Sequence, residues 1–141
     1  MNREEEKFNQ WGDGPWLKEP DEKTWKIDEI NMTCKILRES HMGHLCGYVH
    51  IPKEHFLYGM SYTDNGFPDF ECNGGITFSE LGKDGEWWIG FDCAHHWDVS
   101  PWTRNQTGIS DPCASYKTFD WVVKETEYLA RQVSEAKNEN N

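Results

Sequence analysis

The chain has no long apolar run. None approaches the roughly 18 residues that a membrane-crossing helix needs, and only 36% of its 141 residues are hydrophobic, so a membrane partner is not expected. Positive charge is also scarce: 14 Lys and Arg face 25 Asp and Glu, for a formal net charge of −11. Non-specific nucleic-acid binding depends on Lys and Arg neutralising phosphates, which argues against DNA or RNA as a general partner. A C-x-x-C pair, an HExxH helix, a phosphate-cradling glycine loop, a dinucleotide fingerprint and a G-x-S-x-G elbow are all missing, which removes the commonest short signatures of zinc, nucleotide and acyl-transfer chemistry. The opening MNREEEKFNQ holds no apolar stretch of a secretory signal. Five cysteines, Cys34, Cys46, Cys72, Cys93 and Cys113, form an odd, scattered set, and reduced thiols in a cytoplasm are the expectation.

What the chain does have is rings. Aromatic residues make up 14% of it, eight of them tryptophans, and each buries enough area to replace several aliphatics. The length fits one domain with a sizeable core. Residues 1–12 read as a charged, mobile segment, 13–137 as a single domain and 138–141 as a frayed tail. The stretch GDGPWLKEPDEKTW reads as an extended arm pinned by Trp16 and Trp25. MTCKILR and HLCGYVHIP alternate with period two and form a hairpin. Residues 53–69 show no period and read as a long loop rich in rings. FECNGGITFS and EWWIGFDC read as strands joined through a tight turn at Asp84-Gly85, and 97–115 as a second loop. From about 117 to 136, Phe119, Val122, Thr126, Leu129, Ala130 and Val133 recur at helical spacing. The fold class that follows is α+β: an antiparallel β-sheet with the C-terminal helix packed on one face and long aromatic-rich loops.

Candidate chemistry gathers in two stretches. Asn73-Gly74-Gly75 interrupts an apolar strand, where glycines mark a bulge or the close approach of a ligand. Asp92, His95 and Asp98 run off a strand at spacings of three. Four readings of them stay open. They suit a divalent metal such as zinc with one open position; Asp92 can orient His95 as an acid–base pair, the two then being the catalytic residues of a hydrolase; they can bind a ligand; or they close off a core. With no metal, no cofactor is required. The ligand-binding set under the third reading is His55, Tyr58 and Tyr62 from the loop, Asn73, Gly74, Gly75, Trp88, Asp92, His95 and His96, converging where the 53–69 loop meets the turns at 73–75 and 92–98. His41, His44, Cys46 and His50 fall on different faces or in turns and make a poor metal cluster. Cys93 is an unlikely nucleophile, because the neighbouring carboxylate of Asp92 raises a thiol pKa.

Four ordered blocks, GPWLKEPDEKTW, GHLCGYVHIPKEHFLYG, CNGGITFS and WWIGFDCAHHWDVSP, resemble a family of small uncharacterised proteins of phages and prophages. The resemblance spans about residues 14 to 101 and adds a C-terminal helix. The chain departs from the family pattern at Asn73, where the family often carries His, at Glu54-His55-Phe56, where it has Gly-His-Pro, and at His96-Trp97 before Asp98. Asn73 is a poor substitute for a base or metal ligand but a good hydrogen-bonding group, which tilts the reading from catalysis toward binding. The resemblance implies a phage accessory protein acting against host defences in the cytoplasm of an infected bacterium. It would either sequester a small nucleotide-derived ligand in an aromatic and acidic pocket or present an acidic face to a host defence protein. A charge of −11 favours the second route unless Lys35, Arg38, Lys53 or Arg104 makes the pocket locally basic.

Overall fold

In a computed structural model the described residues are 1–107 and 113–138, with the backbone alone described over 105–107. The hairpin read from the sequence is the centre of the sheet. β2 (Met32–Arg38) and β3 (Leu45–Ile51) alternate buried and half-exposed positions, so each carries one apolar face. β1 (Glu22–Ile27) adds to the outside of β2, while β5 (Trp87–Asp92) and β4 (Phe78–Leu81) follow beyond β3. The order is β1-β2-β3-β5-β4, and every neighbouring pair is antiparallel.

α3 (Phe119–Glu135) starts where Thr118 accepts a hydrogen bond from the Trp121 N–H at 3.2 Å, a serviceable N-cap. It buries Phe119, Val122, Thr126, Leu129, Ala130 and Val133, the stripe that the spacing predicts. This face packs on β2 and β3 against Cys34, Ile36, Val49 and Ile51, with Ile89 and Phe91 of β5 in the same core. Close approach is possible because Gly47 has no side chain. A Cβ there would lie 2.3 Å from Thr126 Oγ1 and 2.7 Å from the Phe91 ring.

Several segments differ from the reading of the sequence, each for a local reason. The first residues are not loose: Arg3–Trp11 form helix α1 and bury Lys7 and Trp11. The signal was present in Asn2, whose side chain accepts the Glu5 N–H at 2.8 Å, and in the glutamates of the first turn. The arm ends in β1, an edge strand whose mostly exposed residues hide the alternation; its Trp16 is buried and Trp25 packs at the margin of the core. Gly74 and Gly75 lie in a turn rather than a strand, with Gly75 N–H bonded to Cys72 O at 3.0 Å and both φ near +80°, a conformation glycine adopts without steric cost. Inside the second loop, Pro101–Thr107 form α2, announced by Ser100-Pro101, a cap followed by the favoured first-turn proline. Residues 139–141 of the expected tail lie outside the described residues.

The loop after β3 packs on the core. Leu57 and Phe70 are buried in the core, and Phe56, Tyr58, Met60 and Phe67 pack against its edge. No two of the cysteines are joined in a disulfide among the described residues. Among the described residues, no helix is long and apolar enough to cross a membrane.

If the α3 stripe holds the layers together, Leu129→Ala, which empties a fully buried position, lowers unfolding stability by about 2–5 kcal/mol. Chemical denaturation checks this, and a loss under about half a kcal/mol, the scale of a surface change, would mean the stripe does not form the core.

Candidate functional site

The turns at 72–75 and 92–98 do meet, and Asp98 is what joins them. Its side chain is fully buried. Oδ2 accepts the backbone N–H of His95 at 3.1 Å, the His95 ring Nδ1 at 3.0 Å and the Asn73 amide at 3.0 Å. Oδ1 takes no hydrogen bond of good geometry but has the Lys117 ammonium 3.0 Å away, which compensates its charge. Burial by itself pushes the Asp98 carboxyl up; these donors and Lys117 outweigh it and hold the group below the usual carboxylate range.

One of the four open readings pairs Asp92 with His95; the fold brings Asp98 closer. Asp98, not Asp92, orients His95; Asp92 Oδ1 lies 3.8 Å from the same Nδ1. Asp92 turns instead to Thr77 Oγ1 and the Ala94 N–H, both at 3.0 Å. The ring of His95 stacks on Trp97 with centroids 4.6 Å apart and planes 4° from parallel. Trp97 is tethered in turn, its indole N–H donating to Asn73 Oδ1 at 2.8 Å. On the other side the His95 ring lies against Gly74, where a Cβ would stand 2.1 Å from Nε2. His96 is exposed and meets Trp97 edge to face.

As a metal triad, Asp92, His95 and Asp98 are poorly disposed. The lone pairs of Asp98 already point at an ammonium, an amide and two N–H groups, and no group of three metal-binding side chains occurs among the described residues. The nearby thiols are inert: burial, reinforced by Asp92, pushes Cys46 up to about 12, and burial with Asp98 also raises Cys93. His44 is buried beside this cluster with Nδ1 unpartnered. Burial lowers its pKa despite Glu39, Asp92 and Asp98.

The loop residues go elsewhere. β3 pairs Cys46 with Asp92 at one end and Ile51 with Trp87 at the other, and His55 follows the far end. Both its ring nitrogens are occupied, by Val133 O at 3.1 Å and the Leu57 N–H at 3.1 Å. Tyr58 lies against Trp87, and Tyr62 is exposed with its N–H on Ser79 Oγ. These three do not join Asn73, Gly74, Gly75 and His95.

A second feature lies on the sheet face opposite α3. Lys35, Tyr48, Gly90 and Phe78 are successive partners across four strands, and Trp88 stands beside them. With Leu37, Gly82, Lys83 and Asp84 they line a concavity of about 390 Å³. Gly90 makes the floor: a Cβ there would meet the Tyr48 ring at 2.6 Å. Lys35 Nζ sits 4.0 Å from the Trp88 ring centroid and 5.8 Å from that of Tyr48, and Phe78 packs edge to face on Tyr48. The Trp88 indole N–H is held by Asp84 at 3.3 Å. Of the expected ligand residues only Trp88 lies here, and the lining is basic where an acidic pocket was expected. Strand alternation alone could have grouped Lys35, Leu37, Tyr48 and Trp88 on one face. Lys83 and Phe78 needed the register of β4, which the sequence does not specify.

Comparison with known protein families, curated proteins and solved structures finds no match to this chain.

The Asp98 cluster yields a pH prediction. A carboxyl whose folded pKa is depressed adds stability above its unfolded value, about 3.9, and loses it as pH falls through the folded value. The melting temperature of Asp98→Asn should therefore fall well below wild type at pH 7, with the gap narrowing below about pH 4. A gap independent of pH across this range would show that Asp98 is not held as an ion.

Proposed function

We propose that the protein is a binding protein that captures a small, planar, anionic ligand of the nucleotide class on the uncovered face of its sheet. One observation carries this reading. In a chain of net charge −11, two lysines and three aromatic side chains surround a single concavity of about 390 Å³. Pockets of this size, apolar with a few placed polar groups, suit small molecules. Rings at Tyr48, Phe78 and Trp88 offer faces and edges to a base, an interaction worth roughly 1–3 kcal/mol per stacked base. Lys35 and Lys83 supply the positive charge a phosphate needs. Lys35 rests on Trp88 as a cation–π contact; on binding it exchanges that contact for the phosphate and frees ring surface.

The four motif blocks that resemble phage and prophage proteins support a setting for such capture. A phage accessory protein in the host cytoplasm that sequesters a nucleotide-derived signal would blunt the defence that depends on it. No cofactor enters this reading.

Adenosine 5′-monophosphate serves as the probe in titration calorimetry. Wild type should bind, and the double variant Lys35→Gln, Lys83→Gln should bind at least tenfold more weakly, a loss of about 1.4 kcal/mol. Absence of binding by wild type, or equal affinity of the double variant, would contradict the reading.

A further inference from the structure

We propose that His95 is a general base, with Nε2 as the proton acceptor, in the hydrolysis of uncharged acyl esters at the end of the sheet remote from His55. The argument starts from the tautomer. Asp98 Oδ2 belongs to an ionised carboxylate and can only accept, so the contact of 3.0 Å requires the proton of neutral His95 to sit on Nδ1. The lone pair is then on Nε2. Among the described residues nothing in the protein hydrogen-bonds that atom, although Nδ1 and the residue's own backbone N–H are both engaged.

The ring is also held in place. Trp97 stacks on it, Asn73 anchors Trp97 and Asp98 together, and Lys117 fixes Asp98. A carboxylate that sets tautomer and orientation behind an imidazole with its far nitrogen open is the arrangement general-base catalysis requires. Gly74 contributes by absence, since any side chain there would overlap Nε2. Asp98 and Asn73 are positioning residues, because neither reaches past the ring.

Charge selects the substrate class. Two carboxylates lie within 3.8 Å of Nδ1, and Lys117 is paired to one of them. An anionic phosphate ester is repelled by this surplus, whereas a neutral ester is not. In the step itself, Nε2 takes a proton from water as the water oxygen bonds to the acyl carbon. The tetrahedral adduct then expels the alkoxide, which takes the proton back from Nε2, giving a carboxylic acid and an alcohol and regenerating neutral His95.

The probe is p-nitrophenyl acetate, with hydrolysis followed by release of nitrophenolate. His95→Gln should lower the rate at least tenfold, while His41→Gln, at the exposed β2–β3 turn, should leave it unchanged. Hydrolysis by wild type no faster than by His95→Gln, or an equal drop in His41→Gln, overturns the proposal. A second measurement does not depend on a variant folding: nitrogen-15 NMR of wild type at alkaline pH should show His95 protonated on Nδ1. Protonation on Nε2 in wild type overturns the proposal equally. The proposal does not rest on nucleotide capture, since these readouts report the Asp98 end of the sheet while calorimetry reports the lysine pocket.

Discussion

The guanidinium of Arg38 is the group around which the domain is tied. It sits at the end of β2 with a side chain 1% exposed, where an unpaired charge would not be tolerated. Glu19 and Asp21 pair with it, the carbonyls of Gly43 and Pro20 accept from it, and the Tyr116 hydroxyl completes the set. The partners come from three separate parts of the chain, so one cation fixes the arm before β1, the β2–β3 turn and the approach to α3. Glu19 extends the tie by accepting the Phe119 N–H at 3.0 Å, at the very start of α3. Lys7 does the same for α1, reaching Asp21 Oδ1 and the carbonyls of Trp16 and Glu19. Burial raises the Asp21 carboxyl, but hydrogen bonds from Arg3, Lys7 and Arg38 bring it down to about 2. The GPWLKEPD block thus makes structural sense as a clamp. With the arm and the start of α3 held in this way, α3 covers one face of the sheet.

Legibility followed the physics of each segment. Where one face is buried and the other is not, period is a reliable guide, and β2, β3 and the stripe of α3 were readable residue by residue. β1 was not, because an edge strand with little burial shows no alternation. α1 and α2 lay in segments whose composition looks like loop, and their first turns, Asn2 with the glutamates after it and Ser100-Pro101, held the signals. The charge of Lys7 also hid a buried residue: no pattern marks a lysine as interior when its partners lie 9 to 14 positions away.

At the candidate site the sequence brought forward residues that meet in the fold, and one of its readings paired His95 with Asp92 rather than Asp98. A spacing of three separates both Asp92 and Asp98 from His95, so spacing cannot choose between them. The choice is made by direction: Asp92 ends a strand and points to Thr77, while the chain turns back through Trp97 and delivers Asp98 into the interior. Asn73, expected to hydrogen-bond a ligand, is in the fold a bridge, donating to Asp98 and accepting from Trp97. The aromatic loop misled in the opposite sense. Its Phe56, Tyr58, Phe67 and Phe70 pack on the core, while Tyr62 is exposed. The concavity lined by Tyr48, Phe78 and Trp88 is assembled from strands far apart in sequence, and Arg38, weighed as a source of local positive charge, is spent on the clamp while Lys35 lies over the Trp88 ring.

The proposed ligand-binding surface is the sheet face opposite α3. Backbone and indole NMR shifts of the labelled protein during titration with adenosine 5′-monophosphate test it most directly. The account predicts that the largest changes map to Lys35, Tyr48, Phe78, Lys83 and the Trp88 indole N–H, with α3 silent. Changes centred on α3 or on the loop around His55, with the Trp88 indole unmoved, would contradict it.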